Sequence, residues 1–224
     1  MTNLRYLTER TQLITAASRL FETGVMSHSG HGNLSVRLPE PNQLLLTAGG
    51  NIEHLTPEQF VVVSFDGETL DGSIEPAARE IVGMHAGVYR ERANVNAVIH
   101  THSPRATSFA IANKPLPVVY EAFLRFGILE EIPVAPWAPR GSPESVANIA
   151  AQLRQHPNVP AILLGNHGQL AFGRDAAAAA HLIIIMEEAA QLLLDAEKLG
   201  GAQPFPPDAL ARERAHMQHF GSHR

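Results

Sequence analysis

The segment 95–101, VNAVIHT, constrains the fold more than any other stretch of the chain. A short run centred on consecutive apolar residues and bounded by polar ones reads as a strand packed in an interior. The segments 34–38, 43–47, 60–64, 161–164 and 169–172 have the same character. Between them lie longer stretches with helical apolar spacing. Residues 4–21 form an amphipathic opening helix that Gly24 ends. Residues 76–92 read as one helix with Pro76 near its start, and 103–112 as a short one. Ser142 caps a helix over 142–155, and Asp175 caps a long one that stops at Gly200-Gly201. Residues 118–126 fit strand or helix equally. Strands mixed irregularly with helices, without repeat or linker, predict one α/β domain with a mixed sheet. The domain is expected to span residues 1–224, with a core over about 8–200 and a C-terminal tail over 201–224. Tail residues His216, His219 and His223 read as part of a mobile basic segment.

Composition removes several chemistries. With no cysteine, the chain has no disulfide framework, no thiolate metal site and no thiol nucleophile. A formal net charge of −5 argues against a nucleic-acid surface. The opening residues do not resemble a secretory signal, and no run of about 18 apolar residues occurs, so a cytoplasmic chain without a membrane span is expected. Twelve histidines leave imidazole chemistry open.

Two of them close the apolar strand as His100-Thr101-His102. Side chains alternate along a strand, so His100 and His102 point the same way, as two ligands of one ion must. A third, His167, sits in Asn166-His167-Gly168 at the end of another apolar strand. Glycine there allows a bend and a close approach. Three histidines with a fourth position open is the layout of a catalytic divalent site.

These residues lie inside blocks whose order and spacing resemble the class II aldolase/adducin family: GHGNLSVRL at 30–38, LLLTAGG at 44–50, the stretch 84–110 containing HTH, and VPAILLGNHGQLAFG at 159–173. The resemblance covers about residues 8–200. It implies a single-domain, three-layer α/β/α fold with a mixed, mainly antiparallel central sheet. It assigns His100, His102 and His167 to a divalent metal, zinc first, with manganese, cobalt or iron as alternatives. It implies a homotetramer with active sites at subunit interfaces and a small-molecule substrate. The family's further acidic residue would fall on Ile81, and Glu80 is the nearest acid. One residue rotates a helical side chain by about 100°, so Glu80 substitutes only near a helix start.

Phosphate-binding members of the family are similar to one another in three hydroxyl-rich elements. This chain keeps Gly32, Asn33 and Gly50, places Gly30 and Gly49 where threonines are expected, and has Ala77 and Ala78 in place of a serine pair. Most side-chain donors of a phosphate clamp are thereby gone, and Arg140 is a candidate partner for a carboxylate instead. The proton-transferring residue of the family's aldolases maps to Glu121, beside Tyr120, in the largely apolar PVVYEAFLRFG. A carboxylate in apolar surroundings has a raised pKa, suited to acid/base work. The resemblance therefore implies a metal-dependent carbon–carbon lyase, aldolase or decarboxylase, on a small unphosphorylated hydroxy-carbonyl or hydroxy/keto acid. Alternatives within it are a sugar-phosphate epimerase or dehydratase, and a non-catalytic adducin-like interaction domain lacking the histidines. His28, His31 and His85 read as loop or packing residues.

Overall fold

The computed structural model describes residues 4–221, with side chains as far as 215; His223 and the side chains of His216 and His219 lie outside the described residues. Eight strands make one sheet in the order β4-β3-β2-β1-β5-β8-β7-β6. They are β1 (Gly32–Arg37), β2 (Gln43–Thr47), β3 (Phe60–Ser64), β4 (Thr69–Asp71), β5 (Ala97–Thr101), β6 (Val134–Ala135), β7 (Ala161–Leu164) and β8 (Gly168–Gly173). Only β6 and β7 run parallel; every other pair is antiparallel. The mixed, mainly antiparallel sheet is thus as expected.

Alternation along the central strand splits the core in two. Ala97 and Ile99 pack into the apolar layer that contains residues of α1 (Leu7–Glu22), α4 (Pro104–Ile111) and α7 (Ala176–Ala196). Val98 packs into the opposite layer, with α3 (Val82–Glu91) and α6 (Pro143–Gln155). This is the period of two of a strand covered on both faces. The caps anticipated for α6 and α7 are present: Ser142 Oγ accepts from Ser145 N at 3.1 Å, and Asp175 Oδ1 from Ala178 N at 2.7 Å. The segment Ala176–Leu199 is long and apolar enough to cross a membrane by composition alone, yet α7 buries Leu182, Ile183, Ile185 and Met186 in the core.

Four readings change. The expected helix over 76–92 is two helices, α2 (Pro76–Arg79) and α3, separated at Glu80-Ile81. Gly141, with φ +74°, packs its Cα against Glu80: a Cβ there would lie 2.8 Å from Glu80 Cβ. The ambiguous segment 118–126 resolves into the short helix α5 (Glu121–Arg125). Strands β4 and β6, of three and two residues, are too short to leave a periodic signal. The tail contains a helix, α8 (Ala209–Gly221), that the sequence reading does not anticipate; its Ala, Leu, Arg and Glu residues favour helix.

Candidate metal centre

Strand pairing brings the histidines together. β5 and β8 pair with His100 opposite Leu170 and Thr101 opposite Gln169, so His102 and His167 lie just beyond the paired ends. The turn between β7 and β8 is tight. Asn166 takes a left-handed φ of 56°, and His167 N bonds Leu164 O at 3.0 Å. Gly168 makes room: a Cβ there would fall 2.5 Å from Thr101 O, 2.9 Å from His102 Cδ2 and 3.2 Å from His100 Cε1. The three ring centroids are 4.6, 4.8 and 5.0 Å apart, and one ligand nitrogen from each ring lies within 4.8 Å of the others.

His100 is buried, and its Nδ1–H donates to the Gln169 carbonyl at 2.8 Å. That bond leaves the Nε2 lone pair facing His102 Nε2, 3.0 Å away. Burial, then the neighbouring imidazoles His167 and His102, holds His100 well below the usual histidine pKa. Burial, then His167, His31 and Arg140, lowers His102 to about 4. Burial, then Arg140, also lowers His167. Neutral imidazoles are what a cation requires as ligands.

The triad opens on a cavity of about 710 Å³ that Gly32, Asn33, Gly49, Gly50 and Arg140 also line. Asn33 pairs with His100 across β1 and β5. Its Oδ1 accepts from His85 Nε2–H at 2.6 Å, the Ser35 hydroxyl donates to His85 Nδ1 at 2.7 Å, and Tyr89 donates to Ser35 at 2.7 Å. Burial lowers His85 to about 3, so it stays neutral within this chain. His85 is therefore packed as expected, and it also orients a cavity residue. His31 is exposed and lines the cavity too.

Other candidates fall elsewhere. Glu80 lies at the break between α2 and α3, outside the histidine cluster, with its carboxylate 3.2 Å from Arg140 Nε. Arg140 also donates to Ala77 O, so its guanidinium is partly engaged. The expectation that apolar surroundings enclose Glu121 fails. Its side chain is 67% exposed at the start of α5 and pairs with Arg125 at 2.9 Å, and neither it nor Tyr120 lines the triad cavity. An apolar segment of sequence forms a short amphipathic helix whose polar edge carries Glu121.

Glu75 and Glu58, which line the cavity, and Glu187 are absent from the residues that the sequence singles out. Glu187, buried in α7, accepts from Arg105 N and Ala106 N at 2.9 Å and so holds the start of the helix that follows HTH. The acidic pair Glu187-Glu188 interrupting the apolar run of α7 is the available signal for Glu187; Glu75, just before Pro76, carries none.

Comparison with known proteins agrees with this architecture. The family described as Class II Aldolase and Adducin N-terminal domain matches residues 11–194. A 5-deoxy-D-ribulose 1-phosphate aldolase of Bacillus thuringiensis serovar kurstaki is 26% identical over 214 residues, 95% of this chain and 97% of the relative. A 3-oxo-tetronate 4-phosphate decarboxylase of Escherichia coli K12 is 30% identical over 190 residues, covering 82% and 85%. An L-fuculose 1-phosphate aldolase structure superposes with a TM-score of 0.83 at 24% identity, covering 97% of this chain and 100% of the other. The L-fuculose-1-phosphate aldolase of Thermus thermophilus gives 0.71 at 26% identity, covering 88% and 98%.

Proposed function

This chain belongs to the class II aldolase and adducin N-terminal domain family and is a class II aldolase-family lyase; on that premise we propose that its triad cavity breaks a carbon–carbon bond in a small hydroxy-carbonyl compound or hydroxy/keto acid that carries no phosphate. The observation that carries the reading is the cluster of three neutral imidazoles, one of them held by a carbonyl so that its free nitrogen faces its neighbour.

The family depends on a divalent ion, and the donor set fits one: His100, His102 and His167 would hold it, zinc before manganese, cobalt or iron. When bound, such an ion supplies a Lewis acid for adjacent hydroxyl and carbonyl or carboxylate oxygens. The protein's residues do the rest. Gln169 O keeps the His100 ring oriented through Nδ1. His85 holds Asn33 Oδ1, leaving the Asn33 amide N–H groups as donors for a substrate oxygen in the cavity. Arg140 offers its remaining N–H groups to a carboxylate. Gly32, Gly49 and Gly50 line the same cavity beside them.

Aldol cleavage removes a proton from the hydroxyl of the departing aldehyde and returns one to the carbon left behind. Decarboxylation needs only the second transfer. We assign that transfer to Glu121, or to Tyr120 beside it, acting in the cavity of a neighbouring copy within a homotetramer. Glu121 is exposed and does not line its own chain's triad cavity, which supports that placement. Glu121→Gln is expected to lower kcat about 100-fold at unchanged zinc content; an unchanged kcat would remove Glu121 from the mechanism.

Ala77, Ala78 and Gly49, which line the cavity without a hydroxyl, favour an unphosphorylated substrate. The names of the relatives favour the competing reading, a sugar phosphate. A panel of matched free and phosphorylated ketoses and hydroxy acids, run with zinc, manganese and cobalt, decides. Turnover of the free compounds is expected, and turnover confined to the phosphates would contradict the proposal.

A further inference from the structure

Glu75 is a charged residue on the cavity wall that the reaction above does not use. Its backbone N bonds Ala48 O at 2.9 Å, which pins it to the Ala48-Gly49-Gly50 turn. Its carboxylate lies across that turn. A Cβ on Gly49 would sit 2.7 Å from Oε1, 2.9 Å from Cδ and 3.0 Å from Oε2. Among the described residues the carboxylate has no hydrogen-bond or ion-pair partner. The one arginine lining the cavity, Arg140, pairs with Glu80 and Ala77 O rather than with Glu75. Glu58 lines the same cavity, a second carboxylate facing the space that holds the triad.

We propose that Glu75 is the specificity-determining residue of this site: its carboxylate accepts a hydrogen bond from the terminal hydroxyl of the substrate and excludes a terminal phosphate. A phosphate monoester carries nearly two negative charges at neutral pH, and its repulsion by a carboxylate a few ångströms away is strong in a partly enclosed cavity. A hydroxyl meets no such repulsion and donates to an oxygen that otherwise has no partner. Gly49 and Glu75 meet on this wall: a side chain at 49 would require the exposed Glu75 carboxylate to move. The proposal rests on the reading of the triad cavity as the substrate site.

The test uses glycerate and 3-phosphoglycerate, which share a carboxylate and its neighbouring hydroxyl and differ only at the far end. Both are titrated calorimetrically into the zinc-loaded wild type and into Glu75→Gln. Glu75 is exposed, so the glutamine variant keeps the fold. The wild type is expected to prefer glycerate at least tenfold. Glu75→Gln is expected to move that ratio at least tenfold toward 3-phosphoglycerate, with glycerate affinity changed by less than about fivefold. An unchanged ratio in the variant overturns the role of Glu75. A wild type that prefers 3-phosphoglycerate, with the variant strengthening that preference tenfold, overturns the unphosphorylated-substrate reading and retains the charge effect at Glu75. Failure of both compounds to bind both proteins overturns both.

Discussion

Two walls of one cavity are built by different means. The wall at the ends of β1, β5 and β8 carries Asn33, His100, His102 and His167; backbone pairing sets the first two, and the last two lie just beyond the paired ends. The opposite wall is made of the turn at Gly49-Gly50, the short helix α2 and the loop that carries Arg140. On the strand wall the key side chains are buried or half-buried, and two of them, His100 and Asn33, are held by hydrogen bonds to the backbone or to another buried group. On the turn wall the charged groups are exposed, and one of them, Glu75, is unpaired among the described residues. A strand wall of this kind resists change, because every ring is coupled to sheet register. A turn wall can change its residues at little cost to the fold. On the proposed reading, the metal-holding histidines belong to the first wall and the choice of substrate to the second.

That contrast breaks first at Gly168. Gly168→Ala pushes a methyl group into Thr101 O and the two imidazoles of HTH. The expected cost is about 3 kcal/mol in urea denaturation, with loss of zinc affinity. A variant as stable as wild type would mean that the strand wall is not close-packed. Next is the buried chain behind Asn33. Burial lowers His85 to about 3 in the folded state, against about 6.5 unfolded, so below pH 6.5 the unfolded chain binds the extra proton. Stability from this group is complete above pH 6.5 and declines as pH falls toward 3. Between pH 6.5 and 4.5 the wild type should lose about 2–3 kcal/mol more than His85→Gln, as followed by denaturation at each pH. Parallel profiles would show that His85 is not held neutral. The smallest effect belongs to the turn wall. Glu80 and Arg140 form a half-exposed pair, so Glu80→Gln should change the midpoint of thermal unfolding by no more than about 1 °C and zinc affinity by less than about threefold. A hundredfold loss of zinc would place Glu80 on the ion after all.

The two walls are also unequally legible from the sequence. The strand wall is readable because strand period and apolar runs are local signals: HTH after Ala97-Val98-Ile99 and NHG after Ala161–Leu164 mark the triad without any knowledge of the sheet order. The turn wall is not. The break at Glu80-Ile81 lies where Gly141 packs, about 60 residues away in the chain, and no helical pattern within 76–92 reveals it. Glu121 misleads for the opposite reason. Its apolar neighbours Phe123 and Leu124 are buried, but one turn of helix sends Glu121 outward to Arg125. Glu75 leaves no trace, because its meaning lies in its contact with a glycine across the cavity. The tertiary bond from His100 Nδ1 to Gln169 O is also beyond local reasoning, since it depends on the pairing of β5 with β8.

The central claim is that His100, His102 and His167 together hold one divalent ion. Its most direct test is the metal content of the purified full-length protein, measured by inductively coupled plasma mass spectrometry after loading with zinc and removal of excess. The account predicts one ion per chain in the wild type and less than about a tenth of that in each single alanine variant of the three histidines, with the fold retained by circular dichroism. A wild type that holds no metal, or alanine variants that keep the full complement, would contradict it.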